Sequence, residues 1–107
     1  MDVIAERHLE LRVAGESVAV SVKLGRPRLG ESGDDWVCES EVWFGDNCRS
    51  VAIYGVDAMQ ALQLSIATLD VELERGARRR TGLLYHYDKP FVSILEGGNL
   101  RRVVPAA

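Results

Sequence analysis

Histidine and acid pairs are the first features of this sequence that could carry out chemistry, because both residue types bind metal ions. His8 and Glu10 are two residues apart, and His86 and Asp88 repeat that spacing, so each pair falls on one face of a predicted strand. A zinc site needs at least three protein ligands, and neither pair has a third donor nearby in the sequence. We therefore interpret both pairs as surface residues and expect no metal site.

The two cysteines, Cys38 and Cys48, are the candidate nucleophiles. Strand alternation turns Cys38 toward the predicted core, where a thiol is usually inert packing. Cys48 is expected to be exposed, next to the acid Asp46, which is a poor setting for a nucleophile. The chain contains no nucleophile-elbow, phosphate-loop or dinucleotide-binding pattern. We predict no catalytic residue, no cofactor and no enzymatic activity.

Two segments keep alternative functions open. The basic run Arg78, Arg79 and Arg80 suits phosphate groups, so accessory nucleic-acid binding is one alternative, although the whole chain has a net charge of -3. The Gly25–Asp35 loop contains three glycines and a proline and is polar enough to lie at the surface. A small-ligand-binding or catalytic domain that uses this loop is the other alternative.

Composition and length indicate one globular domain, residues 1–107, with 47% hydrophobic and 27% charged residues. Acids among residues 1–7 do not fit the basic start of a signal peptide. The longest uncharged helical segment, residues 58–69, is too short to span a bilayer. We expect a cytoplasmic protein without membrane contact.

Alternating apolar and polar residues predict four strands before the middle of the chain, at residues 7–13, 18–24, 36–44 and 49–54. The first turn sets Leu11 opposite Val18. A second turn at Asp46-Asn47 would set Phe44 opposite Arg49, because asparagine and aspartate tolerate the positive φ of such turns. The four strands are therefore predicted to form an antiparallel meander.

One helix follows, beginning at the N-cap Asp57 with Gln60 in the capping-box position. Gly76 is placed to end it. The predicted core stripe comprises Met59, Leu62, Ile66, Leu69 and Leu73. Further strands are predicted at residues 82–87, 91–95 and 100–104, the last after a turn at 96–99. The fold class is therefore α+β, in which the helix packs on one face of the meander and two or three strands follow.

The segment Tyr54-Gly55-Val56-Asp57-Ala58-Met59-Gln60-Ala61-Leu62 resembles a motif of small bacterial proteins of unknown function, Gly-x-Asp-Ser/Ala-x-Gln-Ala-Leu, at the start of a single helix. The upstream Arg26-Pro27 loop and the Trp36-Val37-Cys38 strand resemble the same proteins. The resemblance implies the fold and supplies no catalytic residues. Some bacterial domains of this size are immunity proteins that neutralise a toxin, which suggests one version of the function by analogy.

The sheet face turned away from the helix is the candidate interaction surface, since interfaces join an aromatic centre to a charged rim. We predict a non-enzymatic protein–protein interaction domain that binds a partner protein or a second copy of itself. Burial of Trp43 beneath the C-terminal strands, as part of a second core, is the competing interpretation. The predicted interaction residues are Val37, Glu39, Glu41, Trp43 and Tyr54.

Overall fold

The structure, a computed structural model, describes residues 1–95 and contains one sheet and one helix. The predicted turn at 96–99 and the predicted strand at 100–104 lie outside the described residues. The elements in chain order are β1 (Val3–Val13), β2 (Glu16–Gly25), β3 (Arg28–Leu29), β4 (Trp36–Phe44), β5 (Asn47–Gly55), α1 (Ala58–Arg79), β6 (Leu83–His86) and β7 (Lys89–Pro90).

The strands lie side by side in the order β7, β6, β1, β2, β4 and β5, and every neighbouring pair is antiparallel. The short β3 continues the line of β2 and pairs with Trp36 and Val37 at one end of β4. The α+β fold, with one helix on one face of an antiparallel sheet, is confirmed. The predicted four-stranded antiparallel meander is formed by β1, β2, β4 and β5, which lie side by side in chain order, with the short β3 inserted between β2 and β4.

The first hairpin has the predicted register, with Leu11 opposite Val18. Its turn residues Ala14 and Gly15 both have positive φ, 47° and 81°, as a type I′ turn requires. This turn matches the right-handed twist of the strands and so fixes which side chains of β1 and β2 share a face.

The second hairpin differs from the prediction by two residues. Its turn is Gly45-Asp46, which sets Phe44 opposite Asn47 rather than Arg49. Gly45 has φ +59°, and a glycine at the first central position is the signature of a type II′ turn. Because a shift of two keeps the alternation of side chains, every residue of β5 remains on its predicted face.

The start of α1 is capped as predicted, with one difference in the partner of the glutamine. Asp57 Oδ1 accepts a hydrogen bond from the Gln60 amide nitrogen at 2.7 Å. The Gln60 side chain accepts from the amide of Val56, at 2.8 Å, rather than from that of Asp57. Two amides at the helix start are thereby satisfied.

The prediction that Gly76 ends the helix is wrong, since α1 continues to Arg79 and Arg80 is its C-cap. Gly76 is buried inside the helix, where a Cβ atom would overlap the ring of Phe44 on β4. This position therefore requires glycine because the helix backbone and an aromatic ring are in direct contact.

The buried stripe of α1 is also rotated relative to the prediction. Leu69 and Leu73 are buried as expected, but Leu62 and Ile66 are only half-buried and Met59 is exposed. The reason is that small residues face the sheet and allow a close approach. Ser65 even donates a hydrogen bond to the Cys38 carbonyl at 3.3 Å. The remaining buried helix residues are Ala61, Ser65, Gly76 and Ala77.

Residues 91–95, predicted as a strand, form no strand. Asp70 on α1 accepts hydrogen bonds from the Ser93 hydroxyl at 2.6 Å and from the Ile94 amide at 2.8 Å. Arg7 of β1 donates to the Ile94 carbonyl at 3.1 Å. The segment is therefore held on the helix side of the sheet, where Phe91 and Ile94 pack against the core. Through residue 95 it does not cover Trp43.

The packing of α1 predicts how the helix responds to truncation. Leu73→Ala removes a side chain that is 1% exposed, so we expect the free energy of unfolding to fall by about 2–5 kcal/mol. Met59→Ala, at a position that is 64% exposed, is the matched control and should change it by about 0.5 kcal/mol or less. Urea unfolding of both variants measures the difference, and equal losses would contradict this packing.

Gly76→Ala provides a second test. In an open helix position this change stabilises a protein by about 1 kcal/mol, but here the added methyl overlaps the Phe44 ring and we expect destabilisation. In a Phe44→Leu background the ring is gone, so the same change should become neutral or stabilising. Thermal melts of the four proteins measure this coupling; an effect of Gly76→Ala that is the same in both backgrounds would refute it.

Candidate interaction surface

The face of the sheet opposite α1, here called the open face, is the surface that the sequence singled out. In the described part of the chain α1 and residues 91–95 pack on the other side. The side chains that point to the open face follow from the strand registers. They include His8, Glu10, Arg12, Ser21, Lys23, Val37, Glu39, Glu41, Trp43, Ser50, Ala52, Tyr54 and Tyr85.

Trp43 is half-buried on the open face and its indole is fixed by two neighbours. The ring nitrogen donates a hydrogen bond to Glu41 Oε1 at 3.2 Å. The Lys23 ammonium on β2 lies 5.9 Å from the ring centroid, within the range of a cation–π interaction. An indole held in this way is a preorganised aromatic contact.

Two of the other predicted residues, Val37 and Tyr54, lie far from Trp43. Tyr54 lies opposite Val37. Trp43 is six residues further along β4 than Val37, so it is about 20 Å from Tyr54. Tyr54 is 61% exposed, but Val37 is buried at 3% and offers no surface. The β4–β5 hairpin thus has two separate aromatic residues on the open face, one at each end.

The charges of the open face are largely matched. Glu39 forms an ion pair with Arg28 at 2.8 Å, and this carboxylate raises the pKa of Arg28. Glu10 accepts hydrogen bonds from Ser17 and Arg12, both at 2.5 Å. The Ser17 bond first, and Arg12 second, hold the pKa of Glu10 below its ordinary value. The acids therefore do not form a free negative patch.

The Gly25–Asp35 loop borders the Tyr54 end of the open face. It is closed by a backbone hydrogen bond from Gly30 to Asp35 at 2.7 Å and by the pairing of β3 with β4. A shallow cavity of about 390 Å³ lies between the loop and the sheet. It is lined by Arg28, Gly30, Glu31, Ser32, Asp35, Val37 and Tyr54.

The arginine cluster at the end of α1 has structural contacts. Arg78 pairs with Glu74 one turn back. Arg80 donates to the Gly76 carbonyl at 3.1 Å, and its guanidinium lies 4.3 Å from the centre of the Phe44 ring. Basic groups here also complement the negative end of the helix dipole. These contacts explain the presence of two of the three arginines, Arg78 and Arg80, without a role in binding nucleic acid.

Among residues 1–95 no three His, Cys, Asp or Glu side chains converge as metal ligands. His8 lies 3.5 Å from Glu6, and His86 packs beside the Tyr87 ring with centroids 4.4 Å apart. The described helix is not long and apolar enough to cross a membrane.

Sequence reasoning missed the cations beside the predicted acids. Lys23 lies opposite Glu41 because β2 pairs with β4, and Arg28 meets Glu39 through β3. Lys23 and Glu41 lie on strands joined by the long Gly25–Asp35 loop, and Arg28 lies within that loop. Alternation shows which face a residue takes and the predicted meander places β4 beside β2, but neither fixes the register across a long loop.

The two thiols give a direct test of the hairpin. Cys38 is buried, with its sulfur 3.4 Å from the Gly25 carbonyl oxygen, and Cys48 is exposed. We expect one rapid label on the folded protein, at Cys48, and a second only after denaturation, because burial blocks the reagent. Mass spectrometry after alkylation counts the labels. Rapid labelling of Cys38, or the absence of any label after denaturation without reductant, would contradict the structure.

Comparison with known proteins identifies a family without a described activity. The family model described as "Domain of unknown function (DUF6968)" matches residues 5–92, which reach from within β1 to beyond β7. No curated protein and no solved structure matches the chain.

Proposed function

We propose that this chain, which belongs to the DUF6968 family of domains of unknown function, is a non-enzymatic protein–protein interaction domain that binds its partner through the open face. The observation that supports this proposal is the one-sided covering of the sheet. Within residues 1–95 the one helix packs on one face, and the opposite face carries no helix and holds the half-buried Trp43. Tryptophan is one of the residue types enriched among binding hot spots.

The matched charges of the open face favour a partner of mixed charge over a uniformly basic one. Arg28 already pairs with Glu39, and Lys23 lies opposite Glu41. A partner therefore gains little from net attraction, and its charged groups must alternate in sign to fit. Charge reversal at Glu39 or Glu41 is expected to change the association rate at low ionic strength more than the final affinity.

Two finer parts of the proposal concern place and partner. Both cysteines are free, which fits the reducing cytoplasm. For the binding function, we propose toxin neutralisation as the first version to test. Domains of this size serve as immunity proteins, and a small binding protein without catalytic activity is sufficient to neutralise a toxin. Co-expression with the product of the neighbouring gene, scored by growth, tests it.

The proposal is tested by Trp43→Ala. The variant loses the aromatic contact, so we expect binding to weaken by about 2 kcal/mol or more, roughly 30-fold. Its free energy of unfolding should fall by only about 1–2 kcal/mol because the side chain is half-buried. Affinity capture from the source organism with wild type and variant as baits identifies the partner, and calorimetry with the purified partner measures the affinity.

Tyr87→Ala is the matched control, since Tyr87 is an aromatic residue that is 87% exposed in the turn between β6 and β7. It should leave binding unchanged. Equal binding by wild type and Trp43→Ala would overturn the use of the open face. Loss of binding only in proportion to unfolding would favour a structural role for Trp43.

The cavity beside the Gly25–Asp35 loop supports a second candidate, the binding of a small polar molecule. Its walls combine the Arg28 guanidinium, the Ser32 hydroxyl and the Tyr54 ring, groups that hydrogen-bond to and stack on such ligands. A thermal-shift screen with metabolites tests this candidate. A stabilising compound should lose its effect in Tyr54→Ala and keep it in Trp43→Ala.

A further inference from the structure

The two outer edges of the described sheet are built differently. At one edge β7 is two residues long and consists of Lys89 and Pro90, and short length, lysine and proline are the devices that protect a sheet edge from pairing. At the other edge β5 is nine residues long, without proline or bulge. Its one charged residue, Arg49, is paired with Glu72 of α1 at 2.7 Å. This edge has none of the protective devices of β7.

The hairpin geometry shows which residues of β5 offer hydrogen bonds outward. In a two-residue hairpin the residues that flank the turn bond to each other, so Phe44 bonds to Asn47 and every second pair along the ladder does the same. The Gly45 amide donates to the Ala19 carbonyl of β2 at 2.8 Å. This agrees with an alternation in which odd-numbered residues here bond toward β2 and even-numbered ones toward β5. The residues with outward amides and carbonyls are therefore Cys48, Ser50, Ala52 and Tyr54.

The four outward residues of one β5 can pair with the same four residues of a second β5. If a second β5 pairs antiparallel with Val51 opposite Val51, then Cys48 meets Tyr54 and Ser50 meets Ala52, each twice. All four residues are used, and each pair exchanges two hydrogen bonds. Arg49 then lies opposite Ile53 of the other copy, so no like charges face each other.

The helix above this edge carries an exposed stripe with the same symmetry. Leu64, Thr68, Val71 and Arg75 are spaced by four, three and four residues, on the flank that carries Glu72 and faces β5. Leu64 and Val71 are 45% and 51% exposed. Helix and strand run in opposite directions, because Glu72 meets Arg49 while Ser65 meets Cys38, the residue opposite Ile53. Val51 is therefore level with Thr68.

A two-fold axis at Val51 places Leu64 of one helix beside Val71 of the other. Strands are about 4.8 Å apart, and α1 lies over β4 and β5, so two such helices are about 10 Å apart across the axis. That is the usual distance between packed helices. The strand edge and the helix flank thus predict the same symmetric partner from independent features.

We propose that a second copy of this chain pairs with it through β5, so that the two sheets become one and the two helices pack side by side along Leu64 and Val71. The interface uses the edge of the sheet and the flank of α1. It leaves the open face available to another protein, so it goes beyond the function proposed above and its test is separate.

A disulfide across the axis tests the register. Val51→Cys, in a Cys48→Ser background, brings two sulfurs together at the symmetric pair, where Cα atoms of directly opposite residues are about 4.5 Å apart. Mild oxidation should give a covalent dimer on non-reducing gels. Ile53→Cys in the same background is the matched control, because Ile53 lies opposite Arg49 and its own copy is about 13 Å away; it should remain monomeric on the gel.

Backbone and helix variants test the two halves of the interface by sedimentation velocity across a concentration series. Ala52→Pro removes an outward amide that β4 does not use, and proline is tolerated at such edge positions; Ala52→Val keeps the amide as its control. Leu64→Glu places a carboxylate against Val71, and Gln63→Glu adds the same charge on the far side of α1. We expect the proline and Leu64 variants to raise the dimer dissociation constant about tenfold or more, and both controls to keep that of the wild type.

A wild-type protein that stays monomeric at every concentration would overturn the proposal. So would a dimer that Val51→Cys fails to cross-link, since its interface would then lie elsewhere, or a dimer that Ala52→Pro leaves intact. If Trp43→Ala alone abolished the dimer, the open face would be the self-association surface and the β5 pairing would be wrong.

Discussion

The contact between the α1 backbone and the ring of Phe44 determines how the rest of the domain is arranged. Gly76 lets the ring approach the helix axis, and Arg80 covers the ring from the end of the helix. Because this contact fixes the end of α1 over β4, the helix covers β4 and β5 closely, while Phe91 and Ile94 from the C-terminal segment complete the core over β1. The segment is attached to the helix through Asp70. α1 alone therefore does not cover the full width of the sheet, which is six strands. This irregular segment covers the part that the helix leaves open.

The same arrangement explains why the two faces of the sheet have different chemistry. The covered face contains the aliphatic core, and a buried serine fits there because its hydroxyl reaches a backbone carbonyl. On the open face, paired ions and hydrogen bonds replace apolar packing, and the partners come from the same strand or from a neighbouring one. An antiparallel sheet can leave one face in water in this way, whereas a parallel sheet needs both faces covered.

Local patterns in the sequence were enough for the fold class, the first hairpin and the helix start, because each rests on contacts within a few residues. Alternation assigned the strand faces, and Asp57 with Gln60 marked the cap. The errors arose where a distant residue decides the outcome. From sequence alone Gly76 indicates a helix end, and only its contact with Phe44 shows why a glycine lies inside the helix. The set of buried residues on α1 depends on how closely β4 approaches the helix. Likewise Trp43 and Tyr54 were placed on the correct face, but their separation depends on the turn at Gly45.

The Lys89-Pro90 edge has a consequence for the size of any assembly built on this sheet. A subunit with two receptive edges accepts a neighbour on each side, and its sheet grows into a filament without limit. A subunit with one receptive edge can join only one other, after which both outer strands reject further addition. In the dimer proposed above, the short Lys89-Pro90 strand at each outer edge disfavours further strand addition, and it therefore favours a closed, finite particle over a fibre.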